Sequence, residues 1–412
     1  MGKFGVALCE NVGKMEQESF CAIHSFNLPM VWMAVSVVLI AGYVSVLAFY
    51  LYGWFRSGRG LLLPRQFRPV MVSVIVPARN EAANIPGLVR GLAAQNYPHG
   101  YYEVIIVDDA SVDETVAFAQ NASLQYKNFR LVSLAPGQFA HSQKKRAIEV
   151  GIGQATGEFI VCTDADCQHP PDWLAALVGM YVSKGIKFIA APVVYETRPN
   201  LLSVFQTLDF LTLQGITAAS VSTRFHTMCN GANIAYSKQV FNEVGGFQGI
   251  DKLPTGDDML LMYKVFRMDP DYIAYLRHSH ATVTTQPAPN WPAFFQQRVR
   301  WASKAAYYDD KRIFLVLLWV YFFNAWFLVL LIAGFWATWV WKLALGLLAI
   351  KVLMELAFLW PVAGFFKKRK WLWWFPFLQP LHILYTIAAG WLGRFSSYEW
   401  KGRVVEKPSA LT

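Results

Sequence analysis

The chain has 412 residues, of which 55% are hydrophobic and only 16% are charged. A typical soluble protein carries about a quarter of its residues as charged side chains, so this composition argues against an ordinary soluble protein and favours a membrane protein. The formal net charge is +10, and the basic residues gather beside apolar stretches. We therefore expect the basic residues to bind anionic lipid head groups and a diphosphate-bearing substrate. We expect no nucleic-acid partner.

The first long apolar run covers residues 30–55, contains no charged side chain and follows a short N-terminal segment, residues 1–29. A helix that crosses the hydrocarbon core needs about 20 such residues. Arginines follow the run at once, at positions 56, 59, 65 and 68, whereas the N-terminal segment is nearly neutral. The positive-inside rule then predicts an external N-terminus and a cytoplasmic location for the residues after the run.

Between this run and Arg312 the pattern is typical of an α/β domain, which we assign to residues 56–312. Apolar runs such as Val72–Val76 and Glu103–Val107 predict buried parallel strands. Helical patterns alternate with these strands, at Glu81–Gln95, Asp113–Ala122, Ser142–Ala155 and Asp172–Ser183. This alternation predicts a mostly parallel, Rossmann-like sheet with ligands beyond the carboxyl ends of its strands.

Residues 313–392 are apolar again and predict two or three transmembrane or interfacial helices, followed by a C-terminal tail, residues 393–412. Ile313–Trp339 and Leu343–Phe366 are each long enough to cross a membrane. Trp371–Leu392 contains two prolines and is either a further span or a helix in the membrane interface. Lys351 and Glu355 lie one helical turn apart within the second span, which predicts a functional intramembrane charge or an internal ion pair.

Four polar motifs lie in this domain. Some follow predicted strands, and the others lie at the start of a predicted helix or within one. The motifs are Val107-Asp108-Asp109-Ala110-Ser111, Thr163-Asp164-Ala165-Asp166, Thr255-Gly256-Asp257-Asp258 and Gln297-Arg298-Val299-Arg300-Trp301. Each motif alone has an ordinary structural explanation, such as turn formation, helix capping or a basic juxtamembrane helix. Their occurrence in this order within one α/β domain favours a single functional site.

The motifs differ in the chemistry that they offer. A carboxylate after a strand can accept hydrogen bonds from a base or from ribose hydroxyls, and two carboxylates two residues apart can hold Mg²⁺ or Mn²⁺ together with substrate phosphates. A carboxylate at a helix N-terminus stays ionised, as a general base must. An arginine with an indole can bind a diphosphate and stack on a sugar or base.

The sequence resembles the family 2 glycosyltransferases, which have the GT-A fold and include cellulose, hyaluronan and poly-N-acetylglucosamine synthases. The resemblance covers roughly residues 70–311. It rests on the four motifs together with Val74-Ile75-Val76-Pro77-Ala78-Arg79-Asn80-Glu81.

The resemblance implies roles for individual residues. The residues that it implies for nucleotide-sugar binding are Pro77, Arg79, Glu81, Asp109, Lys144, Lys145, Asp164, Gln297, Arg300 and Trp301. The residues that it implies for acceptor binding are Gly231, Ala232, Asp257 and Trp301. It also implies that Asp166 is the metal ligand and that Asp258 is the catalytic base. Two departures from the family pattern stand out: Asp257 replaces the usual glutamate, and no glycine precedes Lys144.

The sequence thus predicts a multi-pass membrane enzyme with a cytoplasmic catalytic domain, dependent on Mg²⁺ or Mn²⁺. It is expected to transfer a sugar, with inversion, from a nucleotide-sugar such as a UDP-sugar to a lipid or glycan acceptor. A processive polysaccharide synthase is one alternative, and an inactive nucleotide-sugar-binding regulatory protein is another. Leu201–Ser222 is an apolar helix expected to pack under the catalytic domain or to line an acceptor groove.

Overall fold

The structure is a computed structural model that describes residues 4–59, 67–135, 143–251, 256–303, 310–395, 398–400 and 403–405, with side chains described from residue 29 to residue 393 of these ranges. Most of the predicted C-terminal tail and Thr255 of the third motif lie outside the described residues. The structure confirms the predicted alternation of strands and helices.

The strands in chain order are β1 (Val72–Ala78), β2 (Tyr102–Asp108), β3 (Phe129–Ser133), β4 (Phe159–Cys162), β5 (Phe188–Ala190), β6 (Val193–Tyr195), β7 (Ile234–Ser237), β8 (Ile273–Tyr275), β9 (Val283–Thr285), β10 (Tyr398–Trp400) and β11 (Arg403–Val405). Seven of them form one sheet in the order β3-β2-β1-β4-β7-β5-β8, and β6 pairs with β9 beside it. β7 runs antiparallel to both of its neighbours, while the other pairs in the large sheet are parallel. The sheet is therefore mostly parallel, as predicted.

The helices are α1 (Phe4–Ser57), α2 (Ile85–Ala93), α3 (Thr115–Gln125), α4 (Gln143–Gln154), α5 (Trp173–Lys184), α6 (Leu201–Thr223), α7 (Lys238–Glu243), α8 (Met259–Met268), α9 (Trp291–Ser303), α10 (Lys311–Ala333), α11 (Thr338–Phe365) and α12 (Phe375–Phe395). Helices cover both faces of the large sheet. Successive residues of β1 accordingly bury into different cores, Val74 and Val76 into one and Ile75 into the other. Burial on both faces explains why the strand is apolar without alternation.

Three of the described helices are long and apolar enough to cross a membrane: Pro29–Ser57 of α1, then α10 and α11. They coincide with the three predicted spans. Two details add to the prediction. Helix α1 begins at Phe4 and therefore extends through the N-terminal segment into the first span. The segment 371–392 forms a short 3₁₀-helix, Arg369–Trp374, followed by α12, which packs against α9 and α10.

The predicted ion pair within the second C-terminal span is present, with 2.7 Å between Lys351 Nζ and Glu355 Oε1. Gln379 of α12 completes it, because its amide accepts from Lys351 at 2.6 Å and donates to Glu355 at 2.7 Å. The Tyr43 hydroxyl of α1 also donates to Glu355. Three apolar helices are thus joined by a buried polar cluster in which each charge has a partner.

His169, between β4 and α5, makes the stability of the α/β domain depend on pH. Its Nε2 lies 2.8 Å from the Thr163 hydroxyl and its ring packs on Trp173. Burial lowers its pKa from 6.5 to about 3. Between these values the unfolded chain takes up a proton that the folded chain does not, so the stability is lost as pH falls below 6.5.

We therefore expect replacement of His169 by glutamine to flatten the acid side of the stability curve. The wild-type protein should lose about 2 kcal/mol more than the variant between about pH 7.5 and pH 5, measured as free energy of unfolding by tryptophan fluorescence in detergent. Parallel curves for the two proteins would contradict this assignment.

Candidate active site

A polar cavity of 940 Å³ opens at the carboxyl ends of β1, β2 and β4. It gathers all but one of the site residues predicted from the sequence. Its lining includes Pro77, Arg79, Glu81, Asp109, Lys144, Asp164, Asp166, Gly231, Ala232, Asp257, Asp258, Gln297, Arg300 and Trp301. Residues as far apart in the chain as Pro77 and Trp301 meet here, because parallel strands end at the same edge of the sheet and α9 packs beside that edge.

The two aspartates that end β2 are placed differently. Both carboxylate oxygens of Asp108 accept a hydrogen bond from the Ser111 amide at 3.3 Å. The Asp108 side chain therefore stabilises the turn after β2. Asp109 lines the cavity, with its Oδ2 3.8 Å from Nη1 of Arg79. The same guanidinium donates to the carbonyl of Ala110 at 3.2 Å. Arg79 thus joins the ends of β1 and β2 beside a cavity-facing carboxylate.

Lys144, near the start of α4, bridges two of the motifs. Its Nζ lies 2.8 Å from Asp164 Oδ1 and 3.2 Å from Asp257 Oδ2. Burial alone would lower the pKa of Lys144, but the attraction of Asp164 and Asp257 raises it well above the ordinary value. The ammonium therefore stays charged and holds the two carboxylates beside each other.

The expectation that Lys145 also belongs to the site is wrong in geometric terms. Its side chain is buried and its Nζ donates to the carbonyl of Ile250, and it does not line the polar cavity. Adjacent residues of an α-helix point in directions about 100° apart. Once Lys144 faces the cavity, its neighbour faces elsewhere.

Asp164 and Asp166 present carboxylates to the cavity just beyond β4. The Thr285 hydroxyl of β9 donates to Asp166 Oδ2 at 3.0 Å, which fixes this carboxylate. The described residues contain no group of three His, Cys, Asp or Glu that could cage a metal ion. Mg²⁺ and Mn²⁺ need no such cage, because they bind through one or two carboxylates, water and substrate phosphate. The donor set fits that mode of binding.

Asp258 lies at the N-cap of α8, where two backbone amides bind its carboxylate. The amide of Met259 donates to Oδ1 at 2.7 Å and the amide of Gly231 donates to Oδ2 at 3.1 Å. Gly231 also lies close to the neighbouring charged groups, since a Cβ on it would lie 3.2 Å from Asp257 Oδ2 and 3.4 Å from Lys144 Nζ. The side chain of Asp258 is thereby fixed in one orientation.

Helix α9 presents Gln297, Arg300 and Trp301 to the polar cavity. Arg298 of the same helix is buried, and its guanidinium lies 2.7 Å from Asp209 of α6 and 4.2 Å from the ring centre of Trp301. The sequence reading missed this pair. A lone carboxylate in the apolar run of α6 was the signal that could have indicated it.

A second, largely apolar cavity of 520 Å³ lies among α1, α6, α10, α11 and α12. We call it the apolar chamber. It shares four lining residues with the polar cavity: Phe210, Asn230, Asp258 and Trp301. Asp258 therefore lies where a water-accessible cavity meets one walled by the apolar helices. The sequence did not predict this chamber, although it named α6 as a possible acceptor groove.

Residues 73–245 match the family model described as glycosyl transferase family 2. A glycosyltransferase of Haloferax volcanii, AglE, is 29% identical over 176 residues, covering 43% of this chain and 55% of the relative. A β-monoglucosyldiacylglycerol synthase of Trichormus variabilis is 32% identical over 145 residues, covering 35% and 31%.

An undecaprenyl-phosphate 4-deoxy-4-formamido-L-arabinose transferase of an Enterobacter species is 33% identical over 108 residues, covering 26% of this chain and 32% of the relative. The chain thus spans between a third and about half of the length of these relatives. Among solved structures, the mannosyltransferase PcManGT of Pyrobaculum calidifontis, in complex with GDP-Man and Mn²⁺, is 20% identical. It superposes with a TM-score of 0.57, covering 88% of this chain and 99% of that one.

The structural likeness shows that the two proteins share a fold, and the matched family model covers the strands and motifs that build the polar cavity up to β7. Residues 73–245 of this chain therefore resemble the family 2 glycosyl transferases, and they lie within a GT-A-like α/β fold.

Proposed function

We propose that the chain is an inverting glycosyltransferase that transfers a sugar from a nucleotide-sugar, specifically a UDP-sugar, to a membrane-embedded lipid. One observation carries the proposal: Asp258 lines both the polar cavity and the apolar chamber. The polar cavity suits a charged donor, and the chamber suits the apolar part of an acceptor. A carboxylate at their junction can reach the hydroxyl group that reacts.

The donor half of the proposal rests on charge and shape. Asp109, with Arg79 and Pro77 beside it, would contact the base, and Asp164 the ribose. Lys144 and Arg300 supply positive charge for the diphosphate, and Trp301 supplies a ring for stacking on the sugar. Glu81, Gln297, Gly231, Ala232 and Asp257 complete the wall around these groups.

The reaction follows from the position of Asp258. Its carboxylate takes the proton of the acceptor hydroxyl while the oxygen attacks the anomeric carbon from the face opposite the nucleotide. The new glycosidic bond forms as the bond from carbon to phosphate oxygen breaks, and the nucleoside diphosphate leaves with the electron pair. The two amides on Asp258 hold its carboxylate in place before the attack.

Asp166, with Asp164 beside it, would hold Mg²⁺ or Mn²⁺. When bound, such an ion supplies positive charge against the phosphate oxygens of the donor. Thr285 keeps the Asp166 carboxylate turned toward the cavity.

The lining of the space on the acceptor side of Asp258 favours a lipid acceptor over a growing polymer. Beyond Asp258 the continuous space is the chamber, whose walls are mostly aliphatic and aromatic side chains of α1, α6 and α10–α12. A polysaccharide passing through would leave its hydroxyl groups without partners there. The Trichormus and Enterobacter relatives are both named for lipid-linked substrates, which agrees with this choice.

The proposed topology has the three apolar helices crossing the cell membrane and residues 56–312 on the cytoplasmic side. Lys367, Lys368, Arg369 and Lys370 follow the third span. Arg56 lies in the last turn of the first span and Arg59 just after it, so both basic clusters lie on the cytoplasmic face in this topology, as the positive-inside rule requires.

The proposal is tested by incubating membranes that contain the protein with a panel of nucleotide-sugars and Mn²⁺, while following nucleoside diphosphate release and product size. Release from a UDP-sugar with a small, lipid-soluble product is expected. A high-molecular-weight product would support the processive synthase instead, and binding without release would support a regulatory protein.

Replacement of Asp258 by asparagine should abolish transfer and leave donor binding nearly intact. The side chain keeps its shape but cannot accept the proton, and general-base catalysis contributes roughly 10²- to 10⁴-fold. We expect kcat to fall by that factor while the nucleotide dissociation constant changes less than about threefold.

Glu243→Gln on the exposed face of α7 is the matched control, because it removes a carboxylate away from both cavities. It should transfer at the wild-type rate. Retained turnover in Asp258→Asn would exclude the general-base role.

Replacement of Lys144 by alanine should weaken donor binding more than it slows the chemical step. Without the ammonium, Asp164 and Asp257 present unneutralised charge to the diphosphate. Loss of a charged hydrogen bond costs ~1.5–3 kcal/mol, so the donor KM should rise about 10- to 100-fold. Lys127→Ala, on the exposed surface after α3, is the control, and its donor KM should not change. An unchanged donor KM in Lys144→Ala would contradict the role of Lys144 in donor binding.

A further inference from the structure

The boundary between the polar cavity and the apolar chamber is partly aromatic. Of the four residues that line both spaces, Phe210 of α6 and Trp301 of α9 contribute rings, while Asn230 and Asp258 contribute polar groups. The rings of Phe210 and Trp301 therefore lie between the space proposed for the donor and the space proposed for the acceptor.

Three aromatic rings pack in succession along this boundary. Tyr195 of β6 stacks on Phe210, with 4.3 Å between the ring centres and 25° between the ring planes. The ring centre of Trp301 lies 6.1 Å from that of Phe210. We call Tyr195, Phe210 and Trp301 the aromatic partition. Because its rings come from β6, α6 and α9, the partition forms only when these three elements are packed together.

The buried ion pair between α6 and α9 holds one end of the partition. The guanidinium of Arg298 lies 4.2 Å from the ring centre of Trp301 and 4.9 Å from that of Phe294. Asp209 lies 2.7 Å from this guanidinium, and both charged side chains are less than one-tenth exposed. The Tyr385 hydroxyl donates to Asp209 at 2.9 Å. Trp301 thus packs on a cation that cannot move away without leaving a buried carboxylate without its charged partner.

A nucleotide-sugar in the proposed reaction can meet two kinds of nucleophile. Asp258 can take a proton from a lipid hydroxyl, and it can also take one from water. If water attacks, its oxygen bonds to the anomeric carbon as the bond to phosphate oxygen breaks, and the sugar is lost as a free molecule. Enzymes limit such side reactions by excluding water from the reacting centre.

The position of the partition suits this task. The bound donor fills the polar cavity, so the acceptor approaches the anomeric carbon from the boundary with the chamber. A water molecule needs several hydrogen-bond partners, and the rings of the partition present apolar faces there. Ordinary core packing also buries aromatic rings, but Phe210 lines a cavity on each of two sides and is not enclosed by the core alone.

We propose that the aromatic partition keeps water from the acceptor side of Asp258, so that the sugar is transferred to a lipid and not hydrolysed. Phe210 is the central residue, because it contacts both other rings. Arg298 and Asp209 are positioning residues that act through Trp301. This inference rests on the proposed transfer to a membrane lipid, and it adds the feature that makes this transfer selective against water.

The test uses the full-length protein purified in detergent, the UDP-sugar that supports turnover, labelled in the sugar, and a total lipid extract of the membranes from which the protein is purified. The readout is the ratio of free labelled sugar to lipid-soluble label. Phe210→Ala should raise this ratio at least about tenfold, because it admits water and loosens the position of the acceptor hydroxyl. Partial misfolding lowers both products together and leaves their ratio unchanged.

Phe118→Ala is the matched control, because it removes the same side chain from the exposed surface of α3, away from both cavities. Its ratio should equal that of the wild-type protein. Asp209→Asn should also raise the ratio, because Arg298 loses the charge that holds it against Trp301. Glu243→Gln is the control for that variant and should leave the ratio unchanged.

An unchanged ratio in Phe210→Ala, with lipid labelled by the wild-type protein, would overturn the partition as a barrier to water and leave the proposed lipid transfer intact. An unchanged ratio in Asp209→Asn would overturn the positioning role of the ion pair. If the wild-type protein labels no lipid and releases sugar only to water or to a soluble glycan, the proposed lipid acceptor fails, and this inference fails with it. The failures are therefore distinguishable.

Discussion

The site depends on one constraint: a carboxylate must be held in a fixed orientation where the polar cavity meets the apolar chamber. Asp258 meets it through two backbone amides, one from its own helix and one from Gly231 just before β7. Backbone donors serve this purpose well, since they add no mobile charge and cannot rotate away. The antiparallel strand β7 matters for this reason, because it begins next to the amide that Asp258 needs.

Helix α6 connects the two halves of the molecule. It packs against α1 and α11 on one side and against β6 and β8 on the other. Phe210 lines both cavities from this helix, while Asp209 beside it lines the chamber. Its buried ion pair with Arg298 joins α6 to α9 at the base of the α/β domain. The position of the membrane helices relative to the sheet edge is thus set by close packing together with one charged contact.

Much of the fold was predictable from the sequence, because strand and helix formation depend on local patterns. The apolar runs of β1 and β2, the three spans and the Lys351–Glu355 pair all follow from spacing along the chain. The gathering of Asp109, Asp166 and Asp258 at one edge followed from the general rule for parallel sheets. Contacts between distant elements were not predictable in this way. The Asp209–Arg298 pair and the bond from Thr285 to Asp166 depend on how α6, α9 and β9 pack, and Lys145 was assigned wrongly because helix rotation decides which of two adjacent lysines faces the site.

Trp301 belongs to the wall of both cavities and its ring lies against the Arg298 guanidinium. One side chain therefore borders the space of each reactant, and a shift of its ring on occupation of one side alters the shape of the other. Thermodynamic linkage makes such coupling reciprocal: whatever factor one ligand applies to the affinity of the second, the second applies to the first. A shared indole wall of this kind therefore couples occupation of the polar cavity to occupation of the apolar chamber, whichever of the two is filled first.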